Sequence, residues 1–235
     1  MTAEEITDPD EAPQYALPLV LRVERGSPPA RTDALEGAAR AVLMFLADPR
    51  VNEPDGEWAA AVRAWEDARI RKVVRRARGA AWERASALPG ITVVHRSAEV
   101  RVYPPVPVDN WPPDLARLQV AGTELEDPEP PGEPDATTPV LWLNPELPMT
   151  AGKAMAQAGH AAQLAWWRLG PRARSEWREL DFDLAVRTAA QRWAELVRSG
   201  LPVVRDGGFT EVAPGSCTVV ADVPALRADR GAVRQ

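Results

Sequence analysis

The chain has 235 residues, 45% of them hydrophobic and 26% charged, with a net charge of −6 from 28 basic and 34 acidic side chains. That balance excludes a disordered polymer and a general nucleic-acid coat, and no apolar run reaches the ~18–20 residues of a membrane span. A single cysteine, Cys217, and two histidines, His95 and His160, exclude a disulfide framework and a multi-histidine metal set, so no metal and no cofactor is expected.

The opening segment, MTAEEITDPDEAPQ, is acidic and polar. It predicts a loose tail over 1–13 and not a signal peptide, and with it a cytoplasmic chain with no membrane partner. ALPLVLRVE then predicts a strand. ALEGAARAVLMFLAD and WAAAVRAWEDA predict helices. RKVVRRA fits a short strand or a helical continuation. GAAWERASAL predicts a helix, and ITVVHRSA and EVRVYPPVPV predict strands. Residues 126–138, within EDPEPPGEPDATTP, are acidic and proline-rich without periodicity, which predicts a linker between a lobe at 14–125 and a domain at 139–235.

Beyond the linker, PVLWLNP predicts a strand. TAGKAMAQAGHAAQLAWWRLG is alanine-rich and stops at Gly170-Pro171, the signature of a helix. PRARSEWREL opens with a proline suited to a first helical turn. FDLAVRTA alternates as a strand, and AQRWAELVRSG is an amphipathic helix ending at Gly200. LPVVRDGG and SCTVVADVP are strands joined by FTEVAPG. The order β-α-α-β-α-β-β predicts an α/β unit with a four-stranded sheet. The first half repeats much of that order, and VRRARGAAWERASALPGITVV matches VRTAAQRWAELVRSGLPVV. Both carry a tryptophan in the helix and a Leu-Pro before the next strand, so a diverged internal duplication is expected.

Charge and composition divide the same way. Residues 1–138 hold 16 basic against 24 acidic residues, a balance of −8, and residues 139–235 hold 12 against 10, a balance of +2. The chain has 26 arginines but only two lysines, Lys72 and Lys153. In a chain that uses arginine wherever a positive charge suffices, a retained lysine points to a chemical need, and Lys153 is the one so marked here.

Two stretches carry candidate chemistry. In MTAGKAMAQAGHAA, Lys153, Gln157 and His160 stand at i, i+4 and i+7, on one helical face. Gly152 and Lys153 fall in the first turn, where unpaired N–H groups and the helix dipole favour an anion. The alternative is a buried helix capped by Thr150, with a core histidine. In RDGGFTEVAPGS, Asp206 follows a strand and precedes a double glycine, and Thr210 and Ser216 add hydroxyls. This predicts a carboxylate and a hydroxyl beside a pocket, or else a hairpin loop with an Asx-turn. Trp58, Trp65, Trp82 and Trp193 fit core positions. Trp166 and Trp167 cannot both face inward, so one is expected at a lobe–lobe contact or stacked on RNA bases. Cys217 is expected to be a small buried residue.

GKAMAQAGHAA, with Met149 before it, resembles the helix signature of the archaeal and eukaryotic-type (second type) peptidyl-tRNA hydrolases, roughly M-G-K-G-K-x-A-x-Q-x-x-H-A. DGGFTEVAPGSCTVV resembles that family's closing signature, roughly D-A-G-x-T-x-I-x-P-G-S-x-T-V. The resemblance covers about residues 139–224. It implies a four-stranded mixed sheet flanked by helices, usually as a homodimer, and hydrolysis of the ester between a peptide and the 3′ end of tRNA. It maps catalytic roles onto Lys153, Asp206 and Thr210, and substrate-binding roles onto Gly152, Gln157, His160 and Ser216. Ala151 stands where the family has its first lysine, Gly207 where it has alanine, and Phe209 where it often has arginine. Without that lysine and arginine, two cations that could meet phosphate are missing. The first half matches neither signature: His95-Arg96-Ser97 takes the place of Arg205-Asp206-Gly207, so the first lobe is expected to be a degenerate built-in partner. The alternative function is a non-catalytic RNA- or protein-binding module on the same scaffold.

Overall fold

Continuous apolar runs become strands and alanine-rich runs become helices in a computed structural model that describes residues 13–207 and 212–227. The first half runs β1 (Tyr15–Arg22), α1 (Arg31–Leu46), α2 (Pro49–Asn52), α3 (Ala59–Asp67), β2 (Arg71–Ala77), α4 (Gly79–Ser86), β3 (Ile91–His95), β4 (Ala98–Val102), β5 (Val106–Pro107) and α5 (Pro113–Ala116). The second runs β6 (Val140–Leu143), α6 (Ala151–Arg168), α7 (Pro171–Glu179), β7 (Ala185–Thr188), a 3-10 turn (Ala190–Arg192), α8 (Trp193–Arg198), β8 (Val203–Arg205) and β9 (Cys217–Asp222). RKVVRRA is thus a strand, β2. The four-residue helices α2 and α5 are too short for periodicity to reveal; α2 forms because Asp48 accepts from the Arg50 N–H ahead of a proline at the first turn.

The two halves share one topology. The first sheet has the order β2-β1-β4-β3, with β5 added beside β1, and the second has the order β7-β6-β9-β8. In each, the opening strand pairs parallel with the strand that follows its helix, β2 or β7, and antiparallel with a later strand, β4 or β9. A parallel neighbour needs a crossover, and α1 and α6 supply it. The chain is therefore an α/β fold of two like-ordered mixed sheets, a duplicated unit.

Packing between the halves follows the same exchange. α1 lies along α6, packs on β3 and β4 of its own sheet and touches β7 of the other. α6 packs on β6, β8 and β9 of its own sheet and touches β2 of the first. Small side chains permit this closeness: Ala34, Ala38 and Ala41 on α1, and Ala154, Ala158, Ala161 and Ala162 on α6, are all fully buried. Gly159 marks the tightest approach, since a Cβ there would lie 3.0 Å from Val42 Cγ2 and 3.2 Å from Lys72 Cδ. One hydrophobic cluster runs through both halves, from Leu17 to Leu226. Residues 126–139 carry no helix or strand, yet they are pinned down. Glu126 O accepts from Arg31 N, and Asp127 accepts from the Thr32 N–H and hydroxyl at 2.7 Å each. Asp127 thus caps α1, whose own N-cap, Ala30, has no capping side chain.

A buried ionic knot ties α1 to β7. Glu36, 1% exposed, accepts from the Val186 N–H at 3.1 Å, Arg187 Nη1 at 2.8 Å and His95 Nε2 at 2.9 Å. Arg40 Nη1 reaches His95 Nδ1 at 2.6 Å, so this imidazole accepts on one side and donates on the other. Burial pushes the Glu36 carboxyl upward, but the hydrogen bonds from His95, Arg187 and Val186 outweigh it and hold the group below its ordinary range. Donor atoms of Asp33, Glu36 and His95 lie within 4.8 Å of one another. With the Arg187 and Arg96 guanidinium groups on Glu36, the cluster works as an ion network.

Trp58, Trp65 and Trp82 are buried as expected, and Trp193 is partly buried against the core. Trp166 is buried edge-on to Phe182 under the Arg174 guanidinium, whereas Trp167 is 41% exposed. Cys217 departs from expectation. It is half-buried at the first position of an inner strand, beside a register shift, and its Sγ accepts from Arg205. No helix among the described residues is long and apolar enough to cross a membrane.

Candidate active site

The site begins at the start of α6. Thr150 caps the helix, its Oγ1 accepting from the Lys153 N–H at 3.4 Å. The Ala151 N–H donates to Thr123 O of the first half at 3.1 Å. Two first-turn donors thus have protein partners, which leaves the helix start less open to an anion than the glycine and lysine alone suggest. Gly152 is buried beneath Val120 and Thr123. Thr150→Ala is expected to cost about 1 kcal/mol of stability, read by urea unfolding.

From there one face of α6 presents Lys153, Gln157, His160, Leu164 and Trp167 to a cleft of about 760 Å³. The spacing of four, three, four and three keeps them in line along the helix. The second half closes one side with 204–207, the end of the edge strand β8. The first half closes the other with 68–74 and 120–122, including the edge strand β2.

At one end of the cleft, Lys153 Nζ donates to Asp206 Oδ2, and Gln157 Nε2 donates to the same oxygen at 2.8 Å. Gln157 Oε1 in turn accepts from the Thr218 hydroxyl at 2.5 Å. Thr218 and Gln157 are buried and Asp206 is 7% exposed, while Lys153 is only half-buried. The order Thr218, Gln157, Asp206, Lys153 is a relay of donors and acceptors from the core to the cleft. Backbone geometry aims the aspartate. A register shift falls between Val204 and Arg205. The Asp206 N–H donates to Ser216 O at 2.9 Å, and Asp206 O accepts from Gly215 N at 2.7 Å. Gly215 has φ +81°, which glycine adopts without a steric penalty. Ser216 therefore lies behind Asp206 and secures it through its carbonyl. Thr218→Val, which leaves Gln157 Oε1 buried without its donor, is expected to cost about 1–3 kcal/mol in urea unfolding.

Along the helix the first half enters. His160 Nδ1 is 3.2 Å from Lys72 Nζ, whose ammonium also donates to Gln163 Oε1 and, at 3.5 Å, to Ile70 O. Lys72 Nζ sits 4.8 Å from the centre of the Trp65 ring. Burial pushes the Lys72 pKa well below its ordinary value, against the pull of the Glu66 carboxylate. Burial, then the charges of Lys72 and Lys153, push His160 well below its ordinary value, so its imidazole is neutral.

The structure thus brings Lys153, Gln157 and Asp206 into direct contact and sets His160 on the same cleft. Gly152 lines it, and Ser216 supports it from behind. Thr210 lies outside the described residues, as does Phe209. Sequence reasoning passed over Thr218, Gln163 and Lys72. A signal for Lys72 existed. In RKVVRRA, alternation places it on the same inward face as Val74, and a lysine at a core position is an anomaly that asks for a partner.

Comparison with known proteins points to one family. Residues 138–229 match the family model described as Peptidyl-tRNA hydrolase PTH2. A protein named peptidyl-tRNA hydrolase, from Methanocaldococcus jannaschii, is 37% identical over 98 residues, which is 36% of this chain and 84% of that protein. No solved structure matches the chain. The matched region holds α6, β8, β9 and the Lys153–Gln157–Asp206–Thr218 relay, and on these grounds the chain belongs to the peptidyl-tRNA hydrolase PTH2 family.

Proposed function

We propose that the chain hydrolyses the ester linking peptide to tRNA in peptidyl-tRNA, at the cleft between its two lobes. The single observation that carries this reading is the contact of Lys153 and Asp206 at the cleft, with Gln157 bonded to the same carboxylate oxygen. Ester hydrolysis needs an oriented water, an acceptor for its proton and stabilisation of the oxyanion. Asp206 orients the water and takes the proton, with Gln157 and Thr218 holding the carboxylate in place. Lys153 stabilises the negative charge that grows on the scissile carbonyl oxygen. An ester is activated, so these groups suffice without a nucleophilic triad. Thr210 is assigned to the water or the scissile carbonyl on its motif position, and Gly152, His160 and Ser216 to shaping and lining the substrate site.

Charge supports an anionic substrate. Arg69, Arg71, Lys72, Lys153 and Arg205 line the cleft against Glu66 and Asp206, in a chain that is acidic as a whole. Three of these cations come from the first lobe, and since Lys72 is buried on Gln163, Ile70 and His160, Arg69 and Arg71 are the ones assigned to phosphate. They offset the absence of a phosphate-binding cation at Ala151 and at Phe209. That lobe, joined through 126–138, takes the place of a partner subunit.

The test is release of an N-blocked aminoacyl group from tRNA by the purified chain. Turnover by the wild type, with Lys153→Ala at least tenfold slower, supports the proposal. A wild type that binds tRNA without hydrolysing it indicates the non-catalytic module instead. Full turnover by Lys153→Ala refutes the site assignment.

A further inference from the structure

The two lysines of this chain line the same cleft, one from each lobe. Family membership accounts for Lys153 but not for Lys72, because the family match begins only at residue 138. Resting on the hydrolytic reading of this cleft, we propose that Lys72 of the first lobe is a positioning residue: its ammonium group, lodged between Gln163 and His160, holds His160 as the Nε2–H tautomer, and that N–H donates a hydrogen bond to an oxygen of the substrate.

The surroundings of Lys72 fix the direction of its hydrogen bonds. Gln163 Oε1 and Ile70 O are acceptors, the Trp65 face is electron-rich, and the Glu66 carboxyl, its own pKa raised by burial, lies nearby. Every one of these groups favours a donor at Nζ. These contacts oppose the burial that lowers the Lys72 pKa and keep Nζ a donor; with two hydrogens on Gln163 Oε1 and Ile70 O, the ammonium has a third for His160 Nδ1, 3.2 Å away. A neutral imidazole that accepts at Nδ1 carries its proton at Nε2. His160 lies seven residues beyond Lys153, about 10 Å along α6, within the span of a bound peptidyl or nucleotide group.

The lysine stem is held as firmly as its head. A Cβ at position 159 would come within 3.2 Å of Lys72 Cδ and push the stem aside by a few tenths of an ångström, so glycine leaves it its present track across the helix. Beside the crossing of α1 with β7 a cation also meets an imidazole, but there Arg40 of α1 and His95 of β3 belong to the same half. There Arg40 addresses His95 Nδ1 and Nε2 faces a carboxylate, but Glu36 and Arg187 fill the space. At the α6–β2 crossing no such pair intervenes among the described residues, and the imidazole lines an open cleft.

The tautomer is read directly by nitrogen-15 NMR of the histidine ring on the intact protein, with no substrate present. The wild type is expected to show His160 protonated at Nε2, and Lys72→Met to show a mixture of tautomers. The kinetic arm is a double-mutant cycle on release of N-blocked aminoacyl from tRNA. Lys72→Met and His160→Ala are each expected to lower kcat/KM by about tenfold. The double variant is expected to be no worse than either single one, because Lys72 acts through His160. A purely structural role would make the two losses multiply. A wild-type His160 protonated at Nδ1 overturns the proposal before any variant is made. So does a folded Lys72→Met at the full wild-type rate, or a multiplicative double variant. A wild type with no hydrolysis at all sinks the hydrolytic reading itself, and this inference with it.

Discussion

Asp206→Asn is expected to lower kcat/KM for peptidyl-tRNA by about two to four orders of magnitude, the range for removing a positioned general base. Asparagine keeps the volume, and its carbonyl oxygen can still accept from Gln157 Nε2. What disappears is the negative charge and the capacity to take a proton from water. Lys153, half-buried, loses this counter-charge but remains beside the place where the oxyanion forms. The loss therefore falls on kcat, while binding of tRNA changes little or tightens as the cleft grows more positive. Steady-state hydrolysis and a tRNA binding isotherm, measured on the same preparation, separate the two. Binding abolished together with kcat would place Asp206 in the recognition of the substrate and not in its hydrolysis.

Glu36→Ala is expected to be the most destabilising single substitution. It removes the acceptor for the Val186 N–H, Arg187 and His95 at once, at the crossing of α1 and β7. Breaking a buried pair from one side leaves its partners uncompensated, at a cost of about 3–5 kcal/mol. For a chain of this length that is a fall in Tm of about 10 °C. The contribution has a definite pH sense. The Glu36 carboxyl is held below its ordinary range in the folded chain, so it stabilises fully above the unfolded value of about 4.3. The stabilisation is lost as pH falls through the lower folded value. Thermal unfolding of wild type and variant at neutral and acid pH checks this: the gap between them should narrow in acid. A gap that is unchanged would mean that the network stabilises by shape alone.

The sequence was a reliable guide wherever the determining interaction is local. Pro139 and Pro145 bracket β6, Thr150 and Gly170 bracket α6, and Gly200 ends α8, because caps and turns depend on neighbouring residues. The inward face of α6, with Lys153, Gln157 and His160 in line, was legible from spacing alone, and so was the repeat of one α/β order in both halves. The likeness of two motifs some fifty residues apart to the signatures of one family is what pairs Lys153 with Asp206 in the sequence.

Tertiary structure decided what occupies the far side of that helix face. That Lys72 meets His160 88 positions away, that Glu36 ties α1 to β7 150 positions away, and that the first-half strand β2 walls the cleft all depend on two sheets closing over α1 and α6. No local preference encodes such meetings. They follow from burying two small-residue helix faces against each other, which excludes water there and leaves inward polar groups such as Lys72 and Glu36 to find partners on the opposite lobe.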